Sequence, residues 1–230
     1  MISNTAPPGN EYPPLVGKVW GKMACFTRPE AKAERVSYPV MTPSAARGVL
    51  EAIYWKPEFS YRVRDITVLA PIRYSSIFRN EVDAKASPRA ESISITDARQ
   101  QRHTLLLRGL GDEPLSYIIR ADAVPRPGVE ENPAKFRDIF RRRVADGQCF
   151  HRPYLGCREF ACDFAKPDST ERVPEDLQDK TVDLGMMLLD IAYGKNGSGV
   201  HIPYFWQARL ENGVLRVPDS EYDRLEALRL

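Results

Sequence analysis

Histidine and cysteine are scarce in this chain, three and four among 230 residues. So few cysteines exclude a disulfide scaffold at this length, and Cys25, Cys149, Cys157 and Cys162 read as reduced thiols. Three of them fall with His151 in a C-x-H-x5-C-x4-C run, which lacks the paired spacing of a zinc site. The run is therefore read as small buried thiols, with no metal. There is no GxSxG and no GxxxxGK[ST], which argues against an acyl-transfer nucleophile and a P-loop nucleotide site. No apolar run approaches a membrane span, and residues 1–13 lack a basic segment followed by an apolar one. The expectation is a soluble cytoplasmic protein with no membrane partner. Net charge is also small: 33 Lys and Arg face 31 Asp and Glu, leaving +2. A nucleic-acid partner must then be argued from where the charges sit, not from their sum.

What is present is a real core, since 43% of residues are hydrophobic. The organising stretch is residues 41–57, MTPSAARGVLEAIYWKP. Thr42 suits an N-cap and Pro43 the first helical position. Ala46, Val49, Leu50 and Ile53 form one apolar stripe, and Pro57 stops the helix. Arg47 and Tyr54, seven residues apart, are expected on nearly the same side.

Around it, residues 1–13 read as a loose arm. Residues 15–26 alternate as a first strand, with a kink or bulge near Gly21, and residues 59–69 alternate again and are expected to pair with it. Residues 73–103 read as a basic, partly aromatic hairpin or insertion. Further strands are expected at 104–107 and 115–123. A second helix begins at Asn132 and Pro133, with Phe136, Ile139, Phe140 and Val144 as its stripe and Gly147 at its end. Strands are expected at 184–193 and 204–217, with Asn212-Gly213 as a type I′ turn, and a short helix in the 218–230 tail. The fold class is α+β: a ferredoxin-like domain over 14–155 and a small C-terminal antiparallel β-sheet subdomain over 156–217.

Basic residues gather in the 28–35 loop, the 73–102 insertion and the second helix, interleaved with Tyr and Phe. Phosphates need cations and unstacked bases need aromatic faces, so this pattern suits single-stranded or looped RNA. An ordinary mixed surface gives the same composition.

Five segments in order carry a more specific signal: WGKMACFTRPEAKAERVSYPVMTPSAARGVLEAIYWKP, IFRNEV, QQRHTLLL, NPAKFRDIFRRRVADGQCFHRPYLGCREF and DLGMMLLDI. Together they resemble the Cas-five family of CRISPR proteins, in the subtype of type I-C systems, over about residues 15–217. The resemblance implies a RAMP-type, RRM-like domain with a small β-sheet C-terminal region. It implies an endoribonuclease that binds the repeat hairpin of precursor CRISPR RNA and cuts the base of its stem without metal or other cofactor. The 5′ handle would then stay bound in the interference complex, beside the backbone and large subunits. A non-catalytic handle-binding subunit is the alternative, and nonspecific DNA binding fits either.

The family's proposed trio is Tyr, Lys and His. The Tyr falls on Tyr54 in IYWKP and the Lys on Lys135 in NPAKF, but the His position holds Phe136, which cannot move a proton. His103 or His151 could substitute in space, and the sequence leaves both open. Candidate RNA contacts are Arg28, Lys32, Arg35, Arg47, Lys56, Arg79, Arg102, His103, Arg142 and Arg158.

Overall fold

A computed structural model describes residues 13–31, 34–82, 99–130, 132–193 and 201–228. Strand β1 (Leu15–Gly21) buries Leu15, Gly17, Val19 and Gly21 and leaves Val16, Lys18 and Trp20 half-covered. This is the alternation expected when one sheet face is packed. A two-residue strand, β2 (Met23–Ala24), follows a bend at Lys22.

Helix α1 spans Pro43–Ile53, and the Thr42 hydroxyl accepts a hydrogen bond from the Ala45 amide at 3.2 Å. Its stripe, Ala46, Val49, Leu50 and Ile53, is at most 1% exposed. Helix α2 (Pro133–Ala145) starts likewise, with the Asn132 side chain accepting from Ala134 N–H at 2.8 Å. It buries Phe136, Phe140 and Val144, and Gly147 at φ +65° follows it.

Strands β3 (Phe59–Val68), β6 (Leu115–Pro125) and β7 (Asp163–Ala165) complete the first half of a seven-stranded sheet. Its order there is β7-β1-β6-β3. The expected pairing of β3 with β1 is not found, because β6 lies between them, antiparallel to both. The reason is topological. β1 and β3 run the same way and are joined through α1, so they are a split βαβ unit with room for one strand between. The resulting β-α-β-β-α-β order is the ferredoxin-like arrangement, with α1 against β3 and α2 against β1 and β6.

The C-terminal strands are antiparallel as expected: β8 (Thr181–Tyr193), β9 (His201–Glu211) and β10 (Val214–Arg216). The β9–β10 turn holds Asn212 at φ +51° and Gly213 at +70°, the conformation a type I′ turn demands. β10 also pairs with β3, so these strands continue the first sheet. Helix α3 (Asp219–Ala227) fastens the junction. A register shift between Val63 and Asp65 coincides with the Val63 amide donating to the Tyr222 hydroxyl at 2.7 Å.

The expected insertion is a hairpin of β4 (Tyr74–Val82) and β5 (Arg99–Arg108), which with β2 makes a second sheet in the order β2-β5-β4. Among the described residues no helix is long and apolar enough to cross a membrane.

The segment between α2 and β7 is seated by one close approach. Gly156 has φ +85°, and a Cβ there would lie 2.0 Å from the Cys25 carbonyl oxygen. Gly156→Ala must shift either this loop or the Cys25 backbone just after β2. We expect a loss of about 1–3 kcal/mol, read as a lower urea midpoint with an unchanged slope. A midpoint within error of the parent would mean that the loop is not clamped here.

Candidate functional site

The last turn of any helix leaves carbonyls without partners inside the helix. α1 has no basic residue in that turn, so the donors come from elsewhere. The Ala52 carbonyl accepts from the Phe150 amide at 2.8 Å and the His151 amide at 3.2 Å. The Ile53 carbonyl accepts from an Arg143 guanidinium N–H at 2.9 Å, and the Tyr54 carbonyl from the Tyr61 hydroxyl at 2.7 Å. A cation at the negative end of the helix dipole is favourable. These bonds bring three separate segments to one point.

Tyr54 is the C-cap, with φ −150° and ψ 122°, so it has already left the helix. The expected Arg47–Tyr54 pairing rested on helical spacing, which ends one residue earlier. The cation over the Tyr54 ring is Arg143, 5.3 Å from its centroid. Arg47 instead gives its guanidinium to Asp190 at 2.8 Å and Glu51 at 2.7 Å. These two carboxylates raise the Arg47 pKa against a burial that lowers it.

The Tyr54 ring is 4% exposed and packs 5.5 Å from Phe59. Phe59 stacks on Phe136 at 4.6 Å between centroids. Phe136, 2% exposed, is therefore core. Its neighbour Lys135 is exposed on the first turn of α2. The aromatic row Tyr54–Phe59–Phe136 thus ties the end of α1 to the start of α2. Exposed Trp55, Lys56, Phe150 and His151 surround the end of α1.

The other candidates scatter. Arg28 lies 4.4 Å over the Tyr38 ring and 3.6 Å from Glu30. Arg35 reaches the Cys157 sulfur at 3.7 Å. Arg79 is paired with Glu159 and lies over Phe160. Arg102 is half-buried on β5, and the His103 ring lies tilted against Phe78 with centroids 3.8 Å apart. Arg158 is exposed, and Lys32 lies outside the described residues. Arg142 lines a cleft of about 670 Å³ with Arg120, Arg141 and Lys166. That cleft opens where β7 stops short: it pairs with β1 only from Lys18 to Trp20, leaving Val16 at an open edge. Cations there and at Arg143 make the C-terminal end of α2 basic on two sides.

The C-x-H-x5-C-x4-C run does not converge. Cys162 is buried, and burial pushes its thiol up to about 12. Cys157 turns to Cys25, and the hydrogen bond between them holds the Cys25 thiol below its usual range and raises Cys157. Among the described residues no three metal-ligating side chains are grouped.

Arg143 and Phe150 were missed from the sequence. Arg143 carried a signal: it falls seven residues after Phe136 and three after Phe140, a charge on the buried stripe. Phe150 carried none.

Two kinds of relative bear on identity. Two proteins named CRISPR pre-crRNA endoribonuclease Cas5d share 43% identity with this chain. The one from Thermus thermophilus aligns over 92% of this chain and 94% of its own length. The one from Mannheimia succiniciproducens aligns over 87% and 92%. Among solved structures, one titled a CRISPR-associated protein superposes with TM-score 0.64 at 23% identity, covering 91% of this chain and 95% of its own. A functionally uncharacterized protein from Streptococcus mutans, SMU1763c, gives 0.64 at 22%, covering 92% and 97%. These two show the shared fold. Residues 15–218 match the CRISPR-associated protein family Cas5 in its Cas5d form. The chain belongs to the Cas5 family, as its type I-C member.

Proposed function

We infer that this protein is a metal-independent endoribonuclease of the cytoplasm. It binds the repeat hairpin of precursor CRISPR RNA, cuts at the base of the stem and keeps the 5′ handle within the type I-C interference complex. There its neighbours are the backbone and large subunits. Support comes from the names of its 43% identical relatives. The observation that carries the reading is Tyr54 set under Arg143, one aromatic row away from the α2 turn that bears Lys135.

The chemistry follows from those groups. The ribose 2′-OH attacks the adjacent phosphorus, the P–O5′ bond breaks, and a 2′,3′-cyclic phosphate and a 5′-OH result. Lys135, exposed beside the row, supplies positive charge for the phosphoryl oxygens as negative charge develops. Tyr54 positions the scissile linkage for in-line attack. The buried Phe136 has no proton to give, which favours a second reading: a handle-binding subunit that does not cut.

Incubating the protein with its own repeat RNA in EDTA separates the two. The expected products end in a 2′,3′-cyclic phosphate and a 5′-OH. RNA bound but intact after long incubation would leave only the second reading. Duplex DNA should bind through the same cations, with an affinity that falls steeply with salt whatever the sequence.

A further inference from the structure

The buried Phe136 leaves the proposed cleavage without an evident proton acceptor for the 2′-OH. The chain has three histidines. His103 is on β5 with its ring tilted against Phe78, in the second sheet. His201 is on β9, its ring 5.0 Å from Tyr193, beside the sheet's terminal strand β8. His151 alone has its backbone bonded to the end of α1, donating to the Ala52 carbonyl two residues before Tyr54.

We propose that His151 is the general base of the cleavage, taking the 2′-OH proton on Nε2. The inference rests on the endoribonuclease reading above. Four observations carry it. First, the backbone of His151 is fixed: its amide and that of Phe150 share one carbonyl, and Gly156 seats the same segment against the Cys25 backbone just after β2. Second, the side chain is exposed at a rim that also holds Trp55 (50% exposed) and Phe150 (79%). The Phe150 ring lies 5.9 Å from that of His151, and large aromatics left in water offer faces on which nucleobases stack. Third, Nδ1 lies 3.4 Å from the Arg152 carbonyl oxygen, which can only accept. In the tautomer that makes this bond, Nδ1 carries the hydrogen and Nε2 is left with the lone pair that the step uses. Fourth, the Arg143 guanidinium bonds to the same helix end, where it can meet phosphate charge.

In the step, the 2′-O–H proton passes to Nε2 as the 2′-O–P bond forms. The P–O5′ bond breaks with its electron pair on O5′, which takes a proton from water. The imidazolium then returns its proton to water. No oxidant, reductant or cofactor enters.

The test compares wild type with His151→Ala on repeat RNA in EDTA under single-turnover conditions, with hairpin affinity measured separately. The side chain is exposed, so its loss leaves the core untouched. The expected result is cleavage slower by about 10²–10⁴-fold, affinity within about twofold, and partial recovery of the rate on adding imidazole. Cleavage at the wild-type rate, or a loss that imidazole does not repair, overturns the assignment. A substrate with sulfur in place of O5′ needs no leaving-group protonation. If that substrate abolishes the variant's defect, His151 is an acid and its role as base is overturned. Wild-type protein that binds the RNA and leaves it whole instead overturns the endoribonuclease reading, and the base with it.

Discussion

Lys135→Ala is expected to slow cleavage of the repeat by about 10²–10³-fold while changing hairpin affinity by only a few-fold, the cost of losing one preorganised charge at a developing oxyanion. The split between rate and affinity is the informative part. The charge needed during attack is greater than in the bound phosphodiester, so a residue that answers it lowers the barrier more than it tightens the complex. Tyr54→Phe is expected to act in the same direction while keeping the ring contacts with Phe59 and Arg143. If both variants cut as the parent does, these two side chains have no part in the reaction. If Lys135→Ala weakens binding as much as cutting, it is a docking cation only.

Asp190→Ala is expected to cost about 3 kcal/mol of stability, the low end for leaving a buried charge without its partner. The carboxylate has 8% side-chain exposure and takes two bonds, from Arg47 at 2.8 Å and from the Ile191 amide at 2.8 Å. Removing it leaves an arginine that desolvation already disfavours. Glu51, four residues along α1, still holds one side of the guanidinium, which is why the low end is the better expectation. The pair also joins α1 to β8, next to the register shift between Leu188 and Asp190. The loss should therefore appear first as faster amide exchange across the β8–β9 hairpin. Adding Arg47→Met should return much of the stability, because an apolar side chain there has no charge to strand. A single variant within about 0.5 kcal/mol of the parent, the usual range for surface changes, would show that Arg47 needs only Glu51.

Arg47 also marks a limit of reading by period. Seven-residue spacing along a helix is sound geometry, and it placed Arg47 on a face beside the apolar stripe. Which acid that face meets depends on Asp190, 143 residues away. The same holds for Tyr54. Its position just past the stripe was readable, and its cation was not: Arg143 stands out only as a charge on the buried stripe of α2, which does not say whose ring it covers. The β1–β3 pairing failed for a related reason. Alternation shows that a strand has one buried face but carries no record of its neighbour.

Capping and turns were another matter. Thr42-Pro43, Asn132-Pro133 and Asn212-Gly213 each act within a few residues, through bonds and φ values that the residues themselves impose. The amino-acid sequence thus determined its helices, the stripes they bury, the α+β class and, through long matching segments, its family. Tertiary structure alone decided that β6 enters between β1 and β3, that Phe136 stacks on Phe59, and that Arg143 and His151 both bond to the end of α1. Those facts depend on carbonyls and rings satisfied across the chain, and such partners are chosen by proximity after folding, not by spacing before it.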